Sequence, residues 1–289
     1  MTANDHHAAF IFHQTVVTGG AAVVWLAIFR PNPPIDMHRR FLPPLFCACS
    51  LLLPFPAIAG PADALIQQGD VHDQKLESKA ALERYLPAEK LEPNNPGLLL
   101  RIARQYRHEM ADAPQIGEKN RLANLALNYA QRAVVLNPRD GEAHLSVAIC
   151  HGKAMTHLAN KEKINALRII KTSADQAIAL NPKQDLAWYV LGCWNQRVAE
   201  LGGLKRTMAK IAYGGLPDAN GATAIKCFER AIALNPDRLI HYIEMGRTYA
   251  HMGNAAEAKK FIRKGLAMTN TGKDDAESKL KGKQTLATL

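Results

Sequence analysis

Apolar residues along positions 62–270 recur at the spacing of one helix face, and four of the helices that this pattern predicts end alike. Each closes on an Ala-x-x-Leu segment followed by Asn-Pro or Glu-Pro, with the proline at Pro93, Pro138, Pro182 or Pro236. Proline has no amide hydrogen and keeps the residue before it out of the helical conformation, so each helix must end there. The pattern therefore predicts a series of helices separated by tight turns.

A frame of 34 residues relates these helices as five antiparallel pairs. With each proline at position 32, a small residue falls at position 8 of every first helix and bulky residues fall at positions 4 and 7. The small residues are Gly69, Ala103, Ala148, Gly192 and Gly246. They would let paired helices approach closely while the large side chains fill the space between them.

This arrangement resembles the tetratricopeptide repeat. The resemblance implies an all-α solenoid, in which antiparallel helix pairs stack into a right-handed superhelix. We expect residues 60–270 to form the repeat domain, followed by a partial helix or tail at 271–289. The repeats are predicted at about 62–95, 96–140, 141–184, 185–238 and 239–270.

The middle repeats are longer than the frame, because the four prolines lie 45, 44 and 54 residues apart. We expect the extra residues to lie between the paired helices. The longest insertion, 201–220, has Gly pairs near both ends and places Leu204, Met208 and Ile211 on one helical stripe. It predicts a short inserted helix with a basic side, formed by Lys205, Arg206 and Lys210.

The first 59 residues lie outside this repeat pattern. His38-Arg39-Arg40, the apolar stretch 41–55 and Ala57-x-Ala59 are typical of a secretory signal peptide over residues 37–59. Residues 1–36 would then be an upstream extension, and cleavage near Ala59 would export the protein, to a periplasm if the cell is bacterial. The alternative is a weak transmembrane segment over 8–29, which is long enough to anchor the protein in a membrane.

Several short motifs within residues 97–270 resemble the regulator of microtubule dynamics family. They are Glu142-Ala143-His144, Ala148-Ile149-Cys150, residues 161–164, 177–182, 191–194, 206–212 and 246–249, and the stretch 255–265. The resemblance implies microtubule binding and, for one animal member, tethering of mitochondria to the endoplasmic reticulum. An exported protein would meet no microtubules, and the resemblance supplies no catalytic residues.

Composition narrows the possible functions. The net charge of +10 is dispersed, without the run of Lys and Arg that marks a nucleic-acid tail, so we expect no nucleic-acid partner. Phosphate-loop, dinucleotide-binding, zinc-protease and nucleophile-elbow motifs are absent from the sequence. Cys150, Cys193 and Cys227 lack metal-site spacing. The sequence thus predicts a non-enzymatic protein without a cofactor or a metal.

Basic residues on the predicted first helices are the candidate binding residues. They are Arg101, Arg104, Arg107, Lys153, Arg197 and Arg247. First helices line the concave side of such solenoids, so these side chains could offer a basic groove to an acidic peptide or to a C-terminal carboxylate. The alternative is an ordinary solvated surface.

The predicted function is an interaction scaffold that binds a protein or peptide partner. Two alternatives stay open. One is a membrane-anchored adaptor of the microtubule-regulator type, with membrane contact through the N-terminal segment. The other is a carrier that holds a lipid or small ligand in a pocket at the inserted region.

Overall fold

The computed structural model describes residues 60–155, 158–201, 207 and 214–289. Three predicted features therefore lie outside the described residues. They are the upstream extension or anchor within residues 1–36, the signal peptide at 37–59, and the basic side chains Lys205, Arg206 and Lys210 of the insertion.

Within the described ranges the regular structure is helical, with no strand, and comprises eleven helices. They are α1 (Pro61–Gln74), α2 (Ser78–Leu91), α3 (Pro96–Asp112), α4 (Ile116–Leu136), α5 (Gly141–Ala154), α6 (Asn160–Leu180), α7 (Asp185–Ala199), α8 (Gly221–Leu234), α9 (Leu239–His251), α10 (Ala255–Ala267) and α11 (Asp275–Ala287). The first ten pack as successive pairs, and each second helix also contacts the first helix of the next pair. The predicted all-α fold of stacked helix pairs is confirmed.

The repeated prolines end the second helices as the sequence predicts. The helices α2, α4, α6 and α8 each stop two residues before a proline. At three of these ends the asparagine before the proline has left the helical region, with φ between −137° and −145°. Its amide still donates to the alanine carbonyl four residues earlier, at 2.8–2.9 Å, which completes the last turn.

The small residues of the frame lie where the two helices of a pair meet. Ala103 and Ala148 have no exposed surface. A Cβ on Gly192 would stand 2.7 Å from the Phe228 ring, too close for any real side chain. Gly69 and Gly246 are equally confined, by Tyr85 and Ile262. Helix pairing at these positions depends on the missing methyl groups.

The extra residues of the second and third repeats mainly lengthen helices. The helices α4 and α6 have 21 residues each, whereas α1 and α2 have 14. The added turns of α4 bury Leu122 and Ala123 against Met110 and Ala113. The insertions thus enlarge the hydrophobic core, because they extend the contact between paired helices.

The described ends of the fourth repeat's insertion pack onto the core. Leu201 and Leu216 contact the apolar cluster that contains Trp194, whose indole nitrogen donates to the Leu167 carbonyl at 2.7 Å. Gly214 and Gly215 both have φ of 77°, a left-handed conformation that glycine adopts without strain. This agrees with their predicted role in marking the end of the insertion.

The last nineteen residues include a complete helix that packs on the final repeat. Helix α11 contacts both α9 and α10, and Gly282 lies against Ile243 and Ile262. The chain reaches α11 through the C-terminal segment, residues 268–275. This segment crosses the ends of earlier helices, and its contacts define the candidate site.

Candidate partner-binding face

Successive first helices lie side by side and present a common polar surface. The contacts run from α3 to α5, from α5 to α7 and from α7 to α9. We call this surface, which carries Asp73, Arg104, Arg107, Lys153 and Arg247, the first-helix face. It is the face on which the sequence predicted the basic groove.

Two of the predicted arginines are paired with carboxylates of the preceding repeat. Arg101 donates to both oxygens of Asp70, at 2.7 and 3.2 Å, and Arg104 donates to Asp73 at 3.0 Å. Tyr85 also donates to Asp70, at 2.7 Å. Burial would raise the pKa of Asp70, but the hydrogen bonds from Arg101 and Tyr85 outweigh it and hold that pKa below its ordinary value. These arginines therefore link the first two repeats.

Arg107 lies deeper than a solvated surface residue. Its side chain is nearly buried, and its guanidinium donates to the Ser146 hydroxyl on α5 at 2.8 Å. The next residue, His108, is also largely shielded. Burial lowers the pKa of His108 to about 4, and the neighbouring charge of Arg107 acts in the same direction. At neutral pH this histidine is therefore uncharged.

Lys153 holds a carboxylate from the far end of the chain. Its ammonium lies 2.5 Å from Asp274 of the C-terminal segment, 121 residues later. Beside this contact, Lys273 pairs with Asp112 at the end of α3, at 2.6 Å. Burial would raise the pKa of Asp274, but Lys153, His108 and Arg107 together keep it below the ordinary value. Asp274 thus lies ionised and partly exposed beside α3 and α5.

The remaining two predicted residues lie further along the face. Arg247 donates to both carboxylate oxygens of Glu244, at 2.7 and 2.8 Å. Arg197 is exposed, and no described carboxylate contacts it. Both act electrostatically on the Cys193 thiol, Arg197 from α7 and Arg247 from α9.

The structure thus brings Arg107 and Lys153 close enough to act on one carboxylate and adds His108 and Asp274, which sequence reasoning missed. His108 follows a predicted residue directly, but nothing in its helical position indicates that it is buried. Asp274 belongs to a stretch that reads as a polar tail. No local signal in the sequence places it on α5.

Two further clefts lie on the described part of the chain. One, of about 440 Å³, lies beside the insertion and is lined by Arg168, Lys171, Thr172 and residues 214–217. The other, of about 240 Å³, lies between α4, α5 and α6 and has a mainly apolar lining that also includes His151 and Glu162. In the described part of the chain, no group of three His, Cys, Asp or Glu side chains is placed to hold a metal.

None of the described helices is long and apolar enough to cross a bilayer. The predicted anchor, residues 8–29, lies outside the described residues.

The sequence matches a known protein family over most of the described fold. The family model described as Regulator of microtubule dynamics protein 1-3 matches residues 61–289. This confirms the resemblance seen in the sequence and extends it at both ends. The first repeat and helix α11 are therefore shared family elements.

Among curated relatives, bovine regulator of microtubule dynamics protein 1 is 32% identical over 209 residues, which cover 70% of this chain and 62% of that protein. Rat regulator of microtubule dynamics protein 2 is 26% identical over 192 residues, covering 66% and 47%. The chain thus spans about half the length of the curated relatives that it matches.

The fold also has a counterpart of known structure. A thermophilic tetratricopeptide-repeat protein of Thermus thermophilus superposes with a TM-score of 0.58 at 17% identity, covering 78% of this chain and 99% of that one. At this identity the likeness concerns the fold alone. It confirms that the stacked pairs form a tetratricopeptide-repeat solenoid.

Proposed function

Because the chain belongs to the regulator of microtubule dynamics protein 1-3 family, we propose that its repeat domain is a non-catalytic scaffold that binds a protein or peptide partner on the first-helix face. A tetratricopeptide-repeat solenoid suits this role, since its helices hold side chains from several repeats in fixed positions. A preformed surface loses little conformational entropy on binding.

The contact between Lys153 and Asp274 supports this proposal most directly. Lys153 on α5 binds a carboxylate of the C-terminal segment at 2.5 Å, and Arg107 on α3 of the preceding repeat adds a positive charge that acts on the same group. Arg197 adds an exposed positive charge further along the same face. Such a surface favours partners with acidic segments or a free C-terminal carboxylate.

Affinity capture with a charge-reversed face tests the proposal. We would express the full chain and a Lys153→Glu/Arg197→Glu variant in the native cell, cross-link, and quantify co-purified proteins by mass spectrometry. A matched control, Lys226→Glu/Arg230→Glu, makes the same charge change on exposed residues of the second helix α8. The co-purified amount of a true partner should fall at least tenfold with the first variant and stay unchanged with the control. Identical partner sets for all three proteins would refute the proposal.

Microtubule association is a second candidate, favoured by the names of the relatives. The net charge of +10 would assist binding to an acidic polymer, and such binding should weaken as salt rises. Co-sedimentation with stabilised microtubules tests it. Microtubule association would be supported if the protein is recovered in the pellet, the Lys153→Glu/Arg197→Glu variant is not, and the α8 control is. Recovery only in the supernatant at low salt would eliminate it.

For location, we propose export through the leader at 37–59, with anchoring through residues 8–29 as the rival. The supporting feature is the basic, apolar and Ala-x-Ala sequence of the leader. N-terminal sequencing of the protein from its native cell separates the two. A mature start at Gly60 would support export, whereas recovery of residues 1–36 in the mature protein would support the anchor.

A further inference from the structure

The C-terminal segment of the chain itself occupies part of the first-helix face. Residues 268–275 leave the last repeat and reach back to α3 and α5 through two ion pairs, Lys273 with Asp112 and Asp274 with Lys153. The other ion pairs between described helices of the stack join adjacent repeats. The segment is therefore a ligand-like element that spans repeats which the stacking itself does not bring together.

Lys153 is the group that contacts the Asp274 carboxylate, at 2.5 Å. The positive charge of Arg107 on α3 acts on the same carboxylate without touching it. The Asp274 side chain is 42% exposed and that of Lys153 22%, so a carboxylate arriving from solvent can reach the Lys153 ammonium. Removing the Asp274 carboxylate would leave Lys153 without its partner, so Lys153 would favour another carboxylate.

The segment keeps its shape through its own contacts. The backbone amides of Thr271 and Gly272 both donate to Asp275, at 2.7 Å, and Lys279 donates to the Met268 carbonyl. These bonds do not involve α3 or α5. Asp274 thus lies on a loop that is held by its own hydrogen bonds. This loop could release Lys153 while α11 stays packed on α9 and α10.

We propose that Lys153, supported by the nearby positive charge of Arg107, forms a carboxylate-binding site that receives an acidic peptide segment of a partner, and that Asp274 occupies this site until the partner displaces it. The inference rests on the proposed function and adds both the recognised group and the competitor. A tethered competitor acts at a high effective concentration, so only a partner with further contacts displaces it.

Peptide binding to the full-length protein tests the competition. The probe is a fluorescein-labelled peptide with the chain's own sequence Thr-Gly-Lys-Asp-Asp-Ala-Glu, residues 271–277. Fluorescence polarisation should give a Kd at least tenfold lower for Asp274→Asn than for the unmodified chain, because the site has been emptied. Adding Lys153→Met to Asp274→Asn should reverse the gain. Glu277→Gln, an exposed carboxylate that pairs with Lys281, is the matched control and should behave as the unmodified chain.

Hydrogen exchange supplies a direct measure of displacement. Saturating peptide should accelerate exchange within residues 268–275 of the unmodified chain and also in α11, while exchange in α3 changes little. Circular dichroism of every variant checks that the helices are retained. Equal peptide affinity for the unmodified chain and Asp274→Asn would overturn the inference, as would a gain that survives Lys153→Met.

The two proposals fail in different ways. If Asp274→Asn gains no affinity but the captured partner still depends on Lys153 and Arg197, the face binds a partner and Asp274 is only a structural contact. If the peptide binds Asp274→Asn through Lys153, but capture of every partner is unaffected by Lys153→Glu/Arg197→Glu, the carboxylate-binding site is supported and the scaffold function is refuted.

Discussion

Within each helix pair, the residue at position 8 of the first helix and the residue at position 24 of the second complement each other in size. Glycine at position 8 meets a large side chain, as Gly192 meets Phe228 and Gly246 meets Ile262. Alanine at position 8 shares its cluster with another alanine, as Ala103 does with Ala130. Both combinations fill the space between the paired helices, because close packing constrains the summed volume of the two side chains.

Gly192→Leu should destabilise the protein because the new side chain has no room beside Phe228. We expect a loss of about 3 kcal/mol in the free energy of unfolding, measured by chemical denaturation. Gly152→Leu is the matched control, since a Cβ on Gly152 would meet no atom within 4 Å. It should change stability by less than about 1 kcal/mol, and in the stabilising direction, because leucine favours the helix. Equal midpoints for both variants would contradict the packing described here.

His108 should make stability fall as the pH falls. Burial and Arg107 lower the pKa of His108 to about 4, while Asp274 and Asp73 oppose them. Between its unfolded pKa of about 6.5 and pH 4, the unfolded chain therefore binds a proton that the folded chain does not. The expected loss from this residue between pH 7 and pH 5 is about 2 kcal/mol.

The variant His108→Gln should accordingly show a shallower dependence of melting temperature on pH over that interval. Part of the dependence will remain, because burial also lowers the pKa values of His151 and His241. Parallel melting curves for the variant and the unmodified chain between pH 7 and pH 5 would show that His108 is not shielded in solution.

At the scale of helices, much of the fold follows from rules that act locally. Proline ends each second helix wherever it recurs, and a fixed frame then places the small residues, so the helix pairs could be predicted from the sequence. The role of Trp188 shows where this stops. Position 4 of the fourth repeat predicts a bulky core residue, but in the fold Trp188 is only half-buried, and its indole donates to the carbonyl of Pro182 across the turn. Such a bond depends on side-chain direction, which residue spacing does not specify.

The ion pairs between repeats could not be predicted from the sequence either. A run of arginines at Arg101, Arg104 and Arg107 predicts a basic helix side, but not which carboxylates face it. The choice of partner depends on the axial offset between α3 and α1, which is set by packing across two repeats. Asp70 and Asp73 neutralise two of the three charges, so the basic character is confined to fewer positions than spacing alone suggested.

Asp70→Asn should loosen the first repeat. Asp70 accepts hydrogen bonds from Tyr85 on α2 and from Arg101 on α3, so its charge joins three helices. We expect a loss of about 1–3 kcal/mol, with faster hydrogen exchange in α1 and α2 but not in α9 or α10. Asp175→Asn is the matched control, because Asp175 pairs with Lys171 one turn away on the surface and should contribute little.

The contribution of Asp70 should also have a defined pH range. Because the pKa of Asp70 in the folded protein lies below its ordinary value of 3.8, the stabilisation is present at neutral pH and is lost as the pH falls below about 3.8. A stability profile for Asp70→Asn that runs parallel to that of the unmodified chain through this range would exclude the ion pair as its source.

At the scale of the whole repeat domain, stacking alone would couple only neighbours. A solenoid of this kind gains its stability from each pair and from the interface to the next, so distant repeats can unfold independently. The C-terminal segment changes this, because Lys273 and Asp274 connect the end of the last repeat to α3 and α5. It adds a link that bypasses the fourth repeat.

The variant Lys273→Ala/Asp274→Asn should therefore reduce cooperativity more than it reduces stability. Without the two ion pairs, opening of α11 and the last repeat no longer costs the contacts on α3 and α5, so the C-terminal helices can unfold first. We expect a broader denaturant transition and hydrogen exchange in α11 that is at least tenfold faster, while exchange in α3 changes little. The control Glu277→Gln/Lys281→Ala removes an exposed pair within α11 itself and should keep the original transition. If both variants unfold with the same steepness, the segment contacts the first-helix face without coupling the repeats. A broader transition for the first variant alone would mean that any ligand able to displace Asp274 also uncouples the two ends of the solenoid.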